Sequence, residues 1–259
     1  MTKSPTEGSS VNTTTTTNGR VAIVTGGSGG IGRETAERLS KDGCSIVVNY
    51  AGKQEEADTA VASITDAGGT AIAVRADVAD EGAIDALFKT AEQEFRGVDV
   101  VVHTAGRMPL GPLADLDLGV LDDLYRTNIR GTFVVAQQAV RRLRPGGAIV
   151  NFSSSVVDIG RPGYTAYAAS KGAVEALTLT LAHELRGQDV SVNAVAPGPT
   201  ATPLFLKGKD DKIITGMANE TPLERLGTPH DIAELVAFLA SPAGHWVDGQ
   251  VIRINGGIV

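Results

Sequence analysis

The sequence predicts one α/β domain, a doubly wound parallel sheet of about seven strands with helices on both faces. Three observations carry that expectation. From Arg20 onward, short apolar runs alternate with segments of helical period. A glycine cluster separates the first run from the first helix, and the polar residues with chemistry to offer fall just after the runs. Strands alternating with helices of this length imply right-handed crossovers and parallel pairing. Ligands of such sheets bind beyond the carboxyl ends of the strands.

The elements follow in order. Val21–Thr25 is the first strand, and the glycine cluster leads into a helix carrying Thr35, Ala36 and Leu39. Ser45–Tyr50 is the second strand; Ala57, Ala60, Val61 and Ile64 mark one face of the helix after it. Ala71–Val78 is the third, followed by a helix with Ile84, Leu87, Phe88, Ala91 and Phe95. Val98–Gly106 is the fourth, and a long helix is expected from about Asp115 to Leu143. Ala148–Phe152 and Asp189–Val195 are the fifth and sixth strands, separated by a helix containing Tyr167. Ile232, Leu235, Val236 and Leu239 mark a late helix, and Gln250–Ile254 a final strand. No repeat or linker divides residues 20–259.

Composition narrows the function. The 259 residues can bury a sizeable core, with 42% hydrophobic and 20% charged side chains. Net charge is -7, from 23 Lys+Arg against 30 Asp+Glu, which argues against binding nucleic acid or an anionic membrane. The one cysteine, Cys44, can form no internal disulfide and reads as a buried small hydrophobe. Residues 1–19 are polar and rich in Thr and Ser, so a disordered tail is expected there. They lack an apolar core of signal-peptide length, and a cytoplasmic protein is expected.

Val21–Gly32 reads VAIVTGGSGGIG, with Gly26, Gly30 and Gly32 in the spacing T-G-x-x-x-G-x-G. Glycines between strand and helix permit a tight turn and a close approach of backbone to a pyrophosphate. The helix N-terminus adds unpaired N–H groups and partial positive charge. This is the sequence pattern of a dinucleotide site. At the end of the second strand, a carboxylate would bind the ribose of NAD and repel the extra phosphate of NADP. Asn49, Tyr50, Ala51, Gly52 and Lys53 stand there instead. Lys53, with Asn49 and Tyr50 as neutral neighbours, favours NADP(H), with NAD(H) as the alternative.

Tyr167 and Lys171 are i and i+4, one above the other on a helix. An ammonium beside a phenol favours phenolate, so the pKa of Tyr167 is expected to fall from about 10 toward neutrality. A serine just past the fifth strand would hold a carbonyl oxygen near that phenol. His103 has no second histidine or acidic cluster at ligand spacing, so it reads as a hydrogen-bonded residue at a strand end, and no metal is expected.

With these motifs in place, residues 20–259 resemble the short-chain dehydrogenase/reductase family, in its single-domain form of about 250 residues with a Rossmann-type fold. The resemblance implies Asn128, Ser154, Tyr167 and Lys171 as catalytic residues. Ser154 is chosen over Ser153 and Ser155 because it lies thirteen residues before Tyr167. Cofactor contacts implied or read from the motifs are Gly26, Ser28, Gly30, Ile31, Gly32, Asn49, Tyr50, Lys53, Asp77, Val78, Ala105 and Gly106. Tyr167 and Lys171 join them, as do Pro197, Gly198, Thr200 and Thr202 in VNAVAPGPTAT. Two positions depart from the family pattern: His103-Thr104 replaces the usual Asn-Asn, and Gly29 stands where many NADPH-dependent members carry arginine.

The implied activity is reversible hydride transfer between NADP(H) and a ketone or aldehyde and its alcohol, with a small-molecule substrate. Reduction of 3-oxoacyl thioesters is the runner-up, and a non-catalytic NADP-binding regulatory protein the rival of another class. A lid over Pro203–Leu226 carries Lys207, Lys209 and Lys212, which either meet an acyl carrier or stay solvated. A homotetramer is expected from the resemblance, with the Tyr167 helix (Val174, Leu177, Leu181) and the apolar Ile258 and Val259 as contact surfaces.

Overall fold

A computed structural model describes residues 19–259, so the tail expected over residues 1–19 lies, but for Gly19, outside the described residues. Seven parallel strands form one sheet in the order β3-β2-β1-β4-β5-β6-β7. They are β1 (Val21–Thr25), β2 (Ser45–Tyr50), β3 (Thr70–Arg75), β4 (Val98–His103), β5 (Leu143–Phe152), β6 (Val190–Pro197) and β7 (Val251–Ile254). The larger helices are α1 (Gly30–Lys41), α2 (Gln54–Asp66), α3 (Glu81–Phe95), α4 (Leu118–Tyr125), α5 (Gly131–Arg142) and α7 (Thr165–Glu184). A short α6 (Val156–Ile159) precedes α7, and α8 (Pro203–Leu206), α9 (Asp211–Asn219) and α10 (Pro229–Ala240) follow it.

Period-2 alternation divides the core into two layers. Ala22 and Val24 of β1 point to the face covered by α1, α2 and α10, where Leu39, Ile64, Ile232 and Leu239 are buried. Ile23 points the other way, to α3, α5 and α7, beside Leu87, Phe88, Val135 and Leu181. Because both faces are covered, the central strands are apolar throughout, as parallel sheets require.

Several expected boundaries move, among them the start of β5, which lies at Leu143 rather than Ala148. β3 stops at Arg75, because Asp77 turns the chain by accepting from its own Ala79 N–H at 2.9 Å. β4 stops at His103, level with Thr25 where β1 ends. The Thr104 hydroxyl instead donates to the Thr25 carbonyl at 2.5 Å. The long helix is broken: a 3-10 turn at Leu113–Asp115, α4, a π-helical turn at Arg126–Arg130, then α5. β6 runs on to Pro197, two residues further than expected.

The strand order reverses between β1 and β4, which opens a crevice above their carboxyl ends. The register sets Thr25, His103 and Asn151 side by side at its floor.

Candidate active site

The glycine turn forms one wall. Gly26 has φ +64, a left-handed conformation that costs glycine little. A Cβ at Gly32 would lie 2.3 Å from the Gly26 carbonyl oxygen and 2.6 Å from the Thr104 hydroxyl. Only glycine therefore lets α1 begin this close to the strand ends. Gly29 caps α1 with no side-chain hydrogen bond, and no acidic residue occupies its first turn. The turn thus presents backbone N–H groups and the positive end of a helix dipole, the surroundings a pyrophosphate needs. Across the crevice lie Gly106, Pro197, Gly198, Thr200 and Thr202, with Ile31 on the near side.

β5 delivers three consecutive serines. Ser153 is buried and donates to Glu175 Oε1 of α7 at 2.6 Å. Ser155 is also buried; its hydroxyl donates to the Ala196 carbonyl at 3.1 Å and accepts from Asn255 Nδ2 at 3.1 Å. Ser154, between them, lines the pocket and is hydrogen-bonded to Tyr167. The structure therefore separates the serines as the thirteen-residue spacing does, two into the scaffold and one toward the pocket.

α7 brings Tyr167 and Lys171 to the same pocket. Lys171 is buried, and its Nζ donates to the Phe152 carbonyl at 2.7 Å. The Nζ lies 5.7 Å from the centre of the Tyr167 ring. The electrostatics differ from the sequence-based expectation. Burial pushes the Tyr167 phenol up to about 12, against the opposing pull of the Ser154 hydrogen bond, and Tyr164 adds to the rise. Burial also lowers Lys171 to about 8. Desolvation is the largest influence on the phenol, while the Lys171 ammonium is turned onto a backbone carbonyl. The expected fall of Tyr167 toward neutrality is corrected: in the protein by itself the phenol stays protonated.

Asn128 sits in the π-helical turn, a feature that recurs at functional sites. Its Oδ1 accepts from Arg107 N–H at 2.8 Å, and its Nδ2 donates to the Arg107 carbonyl and to Ser170 Oγ at 2.9 and 3.0 Å. The carboxamide thus clamps the chain just after β4 to α7. A Cβ on Gly106 would lie 3.3 Å from Asn128 Oδ1 and 3.7 Å from Lys171 Nζ, so Gly106 is part of the same packing.

Not every expected cofactor residue faces the crevice. Asn49 is buried, and its Nδ2 donates to the Val74 and Ala76 carbonyls at 3.3 and 3.0 Å, bracing β2 against the end of β3. Tyr50 is packed into the core. Pairing with β3 continues through Asn49 and Tyr50, so their side chains are claimed by the layers on either side. The expectation that both flank a phosphate is corrected. Lys53 remains, 75% exposed and 3.8 Å from Glu56. Asp77 is held by Arg126 at 2.7 Å, and the Val78 side chain packs where a Cβ on Gly131 would stand.

His103 is buried at the end of β4 with its Nδ1 2.8 Å from the Thr25 hydroxyl, as expected of a hydrogen-bonded strand-end histidine. Burial, and next the charge of Lys171, push it down to about 3, so it is neutral.

The outer wall lies partly in the expected lid over Pro203–Leu226 and partly on residues the sequence reading did not single out. Met108, Ile159, Tyr164, Leu204, Phe205 and Met217 line it. Tyr164 could have been found, since three residues before Tyr167 is nearly the same helix face; Ile159 comes from α6, Leu204 and Phe205 from α8, and Met217 from α9. The expected lid is two short helices, α8 and α9, with Lys207 and Lys212 exposed. Lys209 folds back, its Nζ donating to the Phe205 carbonyl and lying 4.5 Å from the Phe205 ring centre. Arg161 pairs with Glu220, joining the segment before α7 to the end of α9.

A glycine turn at the switch point and Ser154, Tyr167 and Lys171 above β5 define the class of a nucleotide-dependent oxidoreductase fold. The chain belongs to the short-chain dehydrogenase/reductase family. The family profile described as enoyl-(acyl carrier protein) reductase matches residues 26–259. The chain is 42% identical to a short-chain type dehydrogenase/reductase of Picea abies, over 93% of each. It is 40% identical to the NADPH-dependent aldehyde reductase-like protein, chloroplastic, of Arabidopsis thaliana, over 93% of this chain and 94% of that one. Among solved structures, a short-chain dehydrogenase from Burkholderia cenocepacia in complex with NADP superposes with a TM-score of 0.88. That protein is 35% identical, over 94% of this chain and 99% of its own. Among the described residues, no helix is long and apolar enough to cross a membrane.

Proposed function

We propose that this protein is an NADP(H)-dependent reductase that interconverts ketones or aldehydes and their alcohols. The observation that carries the reading is a half-buried Tyr167, hydrogen-bonded to Ser154 and close to Lys171, in a largely apolar pocket beside the glycine turn. The NADP-bound Burkholderia structure and the NADPH-dependent Arabidopsis relative support the choice of cofactor. So do Lys53 and the absence of an acid after β2.

The backbone of Gly26–Gly32, with Ser28, and the N-terminus of α1 would hold the pyrophosphate, and Lys53 would meet the 2′-phosphate. Asp77 and Val78 border the adenine. Ala105, Gly106, Pro197, Gly198, Thr200 and Thr202 border the nicotinamide half. When bound, the nicotinamide supplies the hydride. The Ser154 hydroxyl donates to the substrate's carbonyl oxygen and orients it. Tyr167 gives its proton to that same oxygen as negative charge develops there. Lys171 holds a positive charge beneath the phenol and stabilises the phenolate left behind. Asn128 fixes the wall that Lys171 packs against.

Little in the pocket supports the 3-oxoacyl thioester alternative. One lid lysine, Lys209, is folded onto Phe205, and the pocket wall is apolar. A non-catalytic nucleotide-binding role would not require Ser154, Tyr167, Lys171 and Asn128 together. The test is a panel of ketones, aldehydes and 3-oxoacyl thioesters, each with NADPH and NADH, followed by loss of the reduced nicotinamide absorbance. Reduction of simple ketones or aldehydes with NADPH is expected. Turnover of thioesters alone, or of nothing, overturns the reading.

A further inference from the structure

Tyr164 is a second phenol in the pocket that the hydride-transfer mechanism leaves without a task. It lies one helical turn before Tyr167, and the two rings meet edge to face with centroids 6.5 Å apart. The residue is 8% exposed and lines the pocket. Among the described residues, its hydroxyl makes no hydrogen bond. The residue is buried as a whole, but its hydroxyl is not sealed off and remains open to a bound molecule in the pocket. The ring could have been phenylalanine at no loss to packing.

The surroundings limit what that partner is. The neighbouring wall, Met108, Ile159, Phe205 and Met217, is apolar and offers no side-chain hydrogen bond. Two of the chain's three methionines stand in it, and thioethers adapt to varied apolar shapes. The nearest charges, Arg161 and Glu220, are paired with each other. Burial raises the Tyr164 pKa, so the group is a neutral hydroxyl, able to donate or accept. A monofunctional carbonyl compound that engages Ser154 and Tyr167 offers no oxygen to Tyr164.

We propose that Tyr164 is a specificity-determining residue, and that the preferred substrates are carbonyl compounds bearing a second oxygen, oxo or hydroxyl, close to the carbonyl that is reduced. The rest of such a substrate is apolar. This inference rests on the carbonyl-reductase reading above, and adds to it a second polar contact. A site built to hydrogen-bond a substrate oxygen discriminates against the analogue that lacks it, because the protein's own group is then left unpaired.

The test compares the full-length wild type with Tyr164→Phe, using NADPH and two ketones, 1-phenyl-1,2-propanedione and propiophenone. Intrinsic reactivity differs between the ketones but cancels when each is taken as a ratio of wild type to variant. Any disturbance transmitted to Tyr167 through the ring contact falls on both ketones alike. The kcat/KM of the diketone is expected to fall about tenfold more than that of the monoketone, the size of one neutral hydrogen bond. The excess should appear mainly in KM, with NADPH affinity retained. Equal losses for the two ketones, or no loss for either, overturn the assignment of Tyr164 alone. If the wild type reduces neither, the reductase reading falls, and this inference with it.

Discussion

Lys171 Nζ donates to the backbone carbonyl of Phe152 at 2.7 Å, and so ties the helix that carries Tyr167 to the strand that leads into Ser154. The contact fixes the distance between acid and substrate-orienting hydroxyl with a single buried charge. It also explains why Lys171 does not pull Tyr167 down in the protein by itself. The ammonium's nearest partner is a peptide oxygen, and the phenol feels desolvation most.

Removing the phenol hydroxyl tests that arrangement. Tyr167→Phe should lower kcat by about 10²–10⁴-fold, the usual scale for a positioned general acid. NADPH binding, measured by fluorescence titration, should be nearly retained. A variant that keeps most of the wild-type kcat at neutral pH is incompatible with Tyr167 as the acid.

His103 makes stability depend on acid. Its folded pKa of about 3 lies below the ordinary 6.5. Below pH 6.5 the unfolded chain takes up a proton that the folded one refuses. The contribution is therefore complete above pH 6.5 and lost as pH falls from 6.5 toward 3. His103→Asn keeps a hydrogen-bonding group for Thr25 but does not titrate. Its urea midpoint should fall less steeply than the wild type's across that window. Parallel profiles would show that His103 is not responsible.

Coenzyme choice rests on a short segment after β2. With Asn49 and Tyr50 buried, Lys53 is the side chain of the three left free to meet a 2′-phosphate. Wild type should bind NADPH more tightly than NADH. Lys53→Ala should weaken NADPH about tenfold, as loss of a charge-assisted bond requires, and leave NADH nearly unaffected. NADH binding that equals or exceeds NADPH binding in the wild type would refute the assignment.

Assembly as a homotetramer is expected, on surfaces that the fold redefines. Val174 and Leu181 pack within the subunit, which removes them from the expected interface. On the outer side of α5 and α7, Phe133 is 56% and Leu179 51% exposed, and Val259 is half exposed at the C-terminus. Apolar side chains left uncovered on adjacent helices suit a self-complementary contact between copies. Light scattering at dilute concentration should give a tetramer, and Phe133→Arg should dissociate it. An active wild-type monomer would refute the expectation.

Much of this was legible in the sequence, because local rules and the global fold agree where the chain is regular. Apolar runs of four to six residues locate the strands, and T-G-x-x-x-G-x-G locates the nucleotide turn, since only glycine satisfies both its backbone angles and its close contacts. Tyr167 and Lys171 share one helix, so their spacing translates directly into geometry, whereas the choice of Ser154 follows from the family resemblance. What required the tertiary structure was whatever depends on neighbours distant in the chain. The break of the long helix at Asn128 follows from the clamp on Arg107 and the packing of Gly131 on Val78. Asn49 and Tyr50 lost their expected place to pairing with β3. The state of Tyr167 was decided by burial among groups from three elements, which no i, i+4 rule contains. Met108, Phe205 and Met217 join Tyr164 in lining the pocket from segments far apart in the chain. Periodicity records which face of an element is buried; desolvation and pocket shape depend on which elements come to cover it.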